Sequence, residues 1–437
     1  MSPVQWLIAL WLILSPLVQV NLLPVRNSGI YLGVALLLVV LLVALARVVR
    51  RPDLVPARSK LTVPLVALAL TAVVAGLQGA LFYDRTVAGQ HRYLEVQIYA
   101  VALVGLPVGA AFAIPILMRS LPDLRLLRRM IIASSSLLVL RGALDYFLPQ
   151  VLWSAAAWWP MAAAHGSALV AAWILFEAHR RRWEIPIAVA SVAALLTVVV
   201  FLPFYADVPN QWLSGWITAS VPIGLLVLAR FPRATLRLSL PLLAFFIYWE
   251  YPQIERVFVL SKREGDFQRL LLWEDALKLT YQRPLFGIGP GNYLDYIMRY
   301  GQLGVMLSSP HGNYEQIAAE MGFVGLGFAV WLFARALALG LRLYRAAGDA
   351  FVRSVAIAAT CSLAGQFTAA FLGDFVVPNY HNGGYTSISA TMYAWVMMGV
   401  LMTLERIEGG AALPPQTAAQ TQARDQGDEA GGHPLEG

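Results

Sequence analysis

Cysteine is almost missing from this chain of 437 residues: Cys361 stands alone in an apolar run, so no disulfide framework can exist. Charge is scarce as well. Asp, Glu, Lys and Arg supply 13% of the residues, where a soluble globular chain carries about 25%. Apolar residues make up 59%, more than any water-soluble core needs, which excludes a soluble multidomain enzyme. There is no His-Glu-x-x-His and no carboxylate cluster at ligand spacing. The one glycine-rich stretch is followed by no Gly-Lys-Ser/Thr and preceded by no strand pattern, which excludes a Walker or dinucleotide loop. A net charge of +7 would suit nucleic acid, but in so apolar a chain the placement of basic residues outweighs their sum. No nucleic-acid partner is expected.

What is present is a series of apolar runs about 20 residues long, the length that crosses a bilayer as helix. They predict spans near 4–22, 29–47, 61–83, 94–118, 128–148, 158–178, 183–203, 211–229, 236–250, 313–342, 351–377 and 386–405. The expected fold is an all-α integral membrane protein of about twelve spans. Nine spans fall in 1–250 and three in 313–408, with a long loop at 251–312 between them. The tail 409–437 is rich in Gly, Ala, Pro, Gln and charge, and its composition predicts disorder. Met1 to Leu14 carries no basic stretch and no small-residue cleavage site follows, so it reads as the first span.

Basic residues sort by loop. Those after even-numbered spans hold Arg47, Arg50, Arg51, Arg58 and Lys60, then Arg119, Arg125, Arg128 and Arg129, then Arg180–Arg182, Arg230, Arg233 and Arg237, then Arg342, Arg345 and Arg353. The short loops after odd spans, with their helix ends, hold only Arg26, Arg85, Arg92 and Arg141. Lys and Arg collect in cytoplasmic loops, so the even loops and both termini are expected in the cytoplasm. Trp153, Trp158, Trp159, Tyr248, Trp249 and Tyr251 cluster at outward span ends, where aromatic belts sit.

The long loop faces outward in this scheme. A capping-box pattern, Ser261-Lys-Arg-Glu264, precedes Phe267, Leu270, Leu271, Leu277 and Tyr281 at helical spacing, which predicts an amphipathic helix at the membrane surface. Pro284-Leu-Phe-Gly-Ile-Gly-Pro-Gly-Asn292 follows, and its glycines permit either tight turns or close backbone approach to a ligand. Then Ser308-Ser-Pro-His311-Gly-Asn-Tyr-Glu315 opens span ten. If Ser309 caps that helix, His311 lies at its positive end, which favours a neutral imidazole able to act as a general base.

Taken in order, Arg269-x-x-x-Trp273, the segment from Pro284 to Tyr293, and His311-x-Asn313 with Glu320-x-Gly322-x-x-Gly325 closely resemble the O-antigen ligase and polymerase superfamily. The match covers roughly 261–330. The resemblance implies a membrane glycosyltransferase fold (GT-C-like) with one large periplasmic loop in the bacterial inner membrane. It implies an undecaprenyl-diphosphate-linked glycan as donor, lipid A–core oligosaccharide as acceptor, and neither metal nor cofactor. Family members often have His-Asn where this chain has His311-Gly312, with Asn313 one place later.

On that reading His311 is the general base. Arg269 is the first choice to bind the donor diphosphate, since guanidinium matches phosphate oxygens in a bidentate fork; Arg263, Lys278, Arg283 and Arg85 rank below it. Arg141, at the outward end of span five with Asp145 four residues on, either binds donor or snorkels to the interface. Gly287, Gly289, Gly291, Asn292, Asn313 and Glu320 are expected to shape the loop. Asp374 and His381, in the last outward loop, are either acceptor contacts or ordinary surface, and His165 and His179 are read as structural. Repeat-unit polymerase and protein O-oligosaccharyltransferase are the related alternatives. A transporter or flippase is the rival from another class, and it would need broken helices or mid-membrane charge lining a path.

Overall fold

The computed structural model describes the chain apart from residues 18–20, 26–27, 57–58, 88–92, 148–158, 178–212, 238–240, 242–243, 245–247, 249–265, 302–308, 382–383 and 410–437. Within some helices it describes backbone only, and Arg141, Asp145 and Arg269 are among those positions. Arg263, Arg92, His179, the 261–264 capping box, span seven, most of span nine and nearly all of the tail lie outside the described residues.

Twelve α-helices are named among the described residues: α1 (Pro3–Leu17), α2 (Leu32–Arg50), α3 (Thr62–Leu81), α4 (Tyr93–Leu117), α5 (Leu121–Phe147), α6 (Trp159–Phe176), α7 (Leu213–Arg230), α8 (Asp266–Gln282), α9 (Tyr293–Tyr300), α10 (Asn313–Ala346), α11 (Ala350–Ala369) and α12 (Tyr385–Glu408). Five of these segments are long and apolar enough to cross a bilayer: α2, α3, most of α4, α10 and α11. Large apolar side chains such as Leu42, Leu70 and Leu77 point outward from the bundle, as helices solvated by lipid tails allow. The protein is a multi-pass helical membrane protein.

Three expected boundaries fail. Span five was placed at 128–148, but α5 begins at Leu121. The first span was placed at 4–22, but α1 ends at Leu17, and Asn21–Val25 pairs antiparallel with Ser28–Tyr31 in a small hairpin (β1 and β2). Span eleven was placed at 351–377, but α11 stops at Ala369 and a buried irregular segment follows. Hydropathy mistook that burial for helix, because Phe375, Val376 and Val377 are packed inside the protein.

The two bundle ends differ. At one, Glu405 of α12 accepts from Ser59 and Arg342, Arg406 donates to the carbonyls of Pro115 and Arg119, and Arg128 pairs with Glu177. Most of the arginines of the even-numbered loops gather there. At the other end lie the C-termini of α3 and α11, the N-termini of α4, α10 and α12, and the glycine segment.

Between the ends, helices meet at small residues and share buried hydroxyls. Ser134 of α5 and Tyr393 of α12 lie 2.6 Å apart and both reach the Leu12 carbonyl of α1, so one hydroxyl donates to that carbonyl while the other donates to its neighbour. His165 of α6 bonds Ser362 of α11 through Nδ1.

Candidate functional site

The site end is organised by a break in α10. Gly322 takes φ 68° and ψ −172°, a conformation closed to side-chain-bearing residues, and the helix kinks there. A broken helix frees backbone groups that must find other partners. Here the glycine segment supplies them. Ile288 and Gly289 donate to the carbonyls of Ala319 and Glu320 at 2.9 and 3.0 Å, and Phe323 and Val324 donate to those of Pro284 and Leu285 at 2.8 and 3.2 Å. Pro284–Gly289 is thus a plug in the break. Gly287, Gly289 and Gly291 all have positive φ, and a Cβ on Gly287 would fall 2.5 Å from the Ala319 carbonyl oxygen.

Glu320 fastens the far side of the plug. It is 6% exposed; its Oε1 accepts from Gly291 N at 2.9 Å and Tyr293 N at 3.4 Å, and its Oε2 from Gln316 Nε2 at 3.2 Å. Asn292 donates to the Ile288 carbonyl at 2.8 Å and accepts from Gln97 of α4 at 2.7 Å, while Gln78 of α3 donates to the Gly287 carbonyl. Gln78 and Gln97 were missed in the sequence reading, and the available signal was an amide inside an otherwise apolar run. A second small core of Leu272, Ala276, Leu279, Ile288, Tyr293, Tyr296 and Ile297 packs α8 and α9 onto the plug.

α8 carries two apolar stripes. Leu270, Leu277 and Tyr281 are exposed, whereas Leu272, Asp275, Ala276 and Leu279 are buried. The second stripe packs on α10, and the one expected at the membrane surface is turned outward from the protein.

His311 has φ 50°, the one positive φ outside glycine among the described residues. A left-handed backbone at such a residue persists only where its surroundings enforce it. They do so here. Ser309 Oγ accepts from His311 N at 3.0 Å and donates to the Asp374 carboxylate, and Trp273 Nε1 donates to the Pro310 carbonyl at 3.0 Å. Contrary to the sequence expectation, Ser309 does not cap α10. The helix begins at Asn313 behind Gly312, with no side-chain cap, and His311 sits in the turn before it. Ser309 spends its hydroxyl on the turn itself.

Asn313 clamps the α11–α12 segment, accepting from Val376 N and Val377 N and donating to the Val377 carbonyl. His381 ends that segment with Nε2 2.8 Å from the Gly291 carbonyl, and burial holds its imidazole below the usual range. His311, Asp374, His381, Glu320, Asn292, Asn313 and the three glycines are thus one connected constellation. Position 269 lies one turn before Trp273 on the same face of α8.

The lower-ranked cations stand apart. Lys278 is exposed and paired with Glu274 at 2.8 Å and Asp275 at 3.4 Å on its own helix, so its charge is already engaged. Arg85 is exposed in the α3–α4 loop. Its neighbour Asp84 accepts from Tyr300 of α9 at 2.5 Å, and that bond, with Thr86 and the field of Arg283, holds the Asp84 carboxyl below the usual range. The backbone of Arg141 and Asp145 lies in the last turns of α5. Among the described residues no group of His, Cys, Asp and Glu is arranged to hold a metal ion.

No protein-family model and no curated protein matches the chain. A chain from a solved peptidoglycan synthase complex, described for the structural coordination of polymerization and crosslinking, is similar at 19% identity with TM-score 0.47, over 80% of this chain and 97% of that one.

Proposed function

We propose that this protein is a membrane glycosyltransferase of the O-antigen ligase kind, moving a glycan from undecaprenyl diphosphate to lipid A–core oligosaccharide at the periplasmic face of the inner membrane. Twelve spans, cytoplasmic termini and an outward site belong to the same proposal. The observation that carries it is the Trp273–Pro310 bond, which joins the Arg269 helix to the His311 turn although 37 residues separate the bonded pair. It lets two motifs that are weak in sequence act on one lipid head.

In this reading His311 takes the proton from the acceptor hydroxyl, and the oxygen attacks the anomeric carbon of the donor with inversion. Undecaprenyl diphosphate leaves against the Arg269 guanidinium, a fixed cation aimed at charge that grows as the bond breaks. Arg141 is a second candidate cation for that charge. The enforced left-handed turn at His311 suits preorganisation, since strain of this sort gathers at working sites.

A broken helix is a feature required above of a transporter. The break in α10 does not favour that reading, because the plug occupies the backbone groups a transporter would turn toward its cargo.

The test is transfer in vitro by purified protein from undecaprenyl-diphosphate glycan, offered either lipid A–core or a second lipid-linked glycan, with and without chelator. We expect transfer to lipid A–core, unaffected by chelator. His311→Ala should lower it about 10²–10⁴-fold, the usual contribution of a general base, with the protein still folded. Near-normal transfer by that variant removes His311 from the mechanism. Chain growth on the second lipid-linked glycan alone makes the protein a polymerase.

A further inference from the structure

Beyond its kink, α10 carries a charge within its apolar length. Over 323–342 the helix rises about 28 Å at 1.5 Å per residue, close to the roughly 30 Å core of a bilayer. Arg335 lies inside that stretch, about two turns short of Arg342, and its side chain is exposed. Among the described residues it has no hydrogen bond and no ion pair. A charge at hydrocarbon depth is costly, and such residues pair, face a cavity or reach for the interface.

Two turns return a helix to nearly the same face, so Arg335 and Arg342 stand in one row, with Trp331 a turn further in. The foot of that row is fixed. Arg342 donates to Glu405 Oε1 at 2.5 Å, while Glu405 Oε2 accepts from Ser59 Oγ at 2.7 Å and Lys60 N at 3.1 Å. The chain entering α3 is thereby tied to α10, with the Lys60 side chain exposed beside the pair. Glu405 answers Arg342, which leaves Lys60 and Arg335 without a counter-charge among the described residues.

α3 packs along α10, and both turn apolar side chains outward, Val63, Val66 and Leu70 on one and Val330 and Leu341 on the other. Cations rising from the interface between apolar walls suit an anion that brings an apolar body with it. A carboxylate on a partner's spanning helix would meet Arg335 at its own depth. The row runs instead down to Arg342 and Lys60, which favours a ligand whose charge lies at the interface, and an arginine stem long enough to snorkel brings its guanidinium toward that level.

We propose that Arg335 and Lys60, beside the Arg342–Glu405 pair, hold the headgroup of an anionic phospholipid whose chains lie against α3 and α10. Guanidinium takes phosphate oxygens in a bidentate fork. A zwitterionic headgroup brings its own cation and answers these two less well. The site lies at the opposite end of α10 from the plug and does not depend on the transfer reaction.

Full-length protein in detergent is titrated with phosphatidylglycerol and, separately, with phosphatidylcholine. Bound lipid is counted by native mass spectrometry, and the melting temperature is followed in parallel. We expect phosphatidylglycerol to be retained in preference and to raise the melting temperature, as a ligand of the folded state does. Arg335→Leu should bind it about fivefold less, the worth of one basic residue beside an anionic surface. In phosphatidylcholine the same variant should melt no lower than wild type, because it removes a charge from hydrocarbon. Arg233→Leu, after α7 at the same end of the bundle, should leave retention unchanged and so controls for net charge. Equal retention by wild type and Arg335→Leu, an equal loss in Arg233→Leu, or phosphatidylcholine held as well as phosphatidylglycerol overturns the site. A lower melting temperature of Arg335→Leu in phosphatidylcholine overturns it as well, since Arg335 would then serve the fold and not a lipid.

Discussion

The bundle and the cap at its site end are built on different principles. Within the bundle, backbone bonds close inside each helix, and helices meet through small residues and a few shared hydroxyls. Gly340 of α10 lies so close to α11 that a Cβ there would fall 1.9 Å from Thr360 Oγ1, the close approach that membrane helix pairs exploit. In the cap, backbone bonds run between segments. The plug completes α10, Glu320 completes the plug, and the α11–α12 segment leans on both. A bundle pair can be trimmed or padded one contact at a time, whereas the cap fails as a unit because each piece supplies the other's missing partners. The lesson concerns cooperativity: a broken helix stays in place only while another segment satisfies it.

The comparison is broken most severely at Gly322. A Cβ there would lie 2.3 Å from the Leu285 carbonyl oxygen and force a side chain into positive φ. Gly322→Ala should expel the plug, abolish transfer and raise amide exchange across 284–300, while exchange in α2, α3 and α11 stays near wild type. Its bundle counterpart, Gly340→Ala, should cost about 1–3 kcal/mol by overpacking and lower the melting temperature without selectively loosening the cap. Equal loosening in both variants would erase the distinction.

Next in size is Glu320. Removing its carboxylate leaves the Gly291 and Tyr293 amides buried without an acceptor, at about 1–3 kcal/mol. Glu320→Ala should therefore lose about 10–100-fold in transfer rate where cap order limits it. Glu320→Gln should be far milder, because Gln316 can turn its amide and accept from the new nitrogen. A Gln variant as damaged as Ala would show that the negative charge matters, and not the shape of the acceptor.

Smallest is Trp273→Phe, which deletes the bond to the Pro310 carbonyl and keeps the ring. A neutral hydrogen bond is worth about 0.5–1.5 kcal/mol, so kcat should fall about 3–10-fold with the melting temperature nearly unchanged. An unaffected kcat would show that the His311 turn holds without help from α8.

Much of the bundle was legible beforehand because lipid solvation writes itself into composition. α3, α4 and α12 fall within a few residues of the apolar runs that predicted them. The failures share a cause: burial by protein and burial by lipid look alike in hydropathy. Hence α11 was drawn through Phe375–Val377. In the cap, His311, Glu320 and the glycines could be singled out by residue type and order, but their partners could not. Glu320 meets Gly291 across 29 residues and Asn292 meets Gln97 across 195, and no local pattern marks such pairs.

Amino-acid order alone settled that this chain is a helical membrane protein with sparse charge, a basic bias toward alternate loops and one segment rich enough in polar groups to do chemistry. Apolar length and side-chain type suffice for that, because the bilayer imposes the same demand on every span. Folding in three dimensions decided that α10 is broken and plugged, that Ser309 serves the His311 turn instead of a helix, and that His381 carries its proton on Nε2. Each of these depends on where a backbone group freed in one segment finds its partner in another, and only the packed chain contains that information.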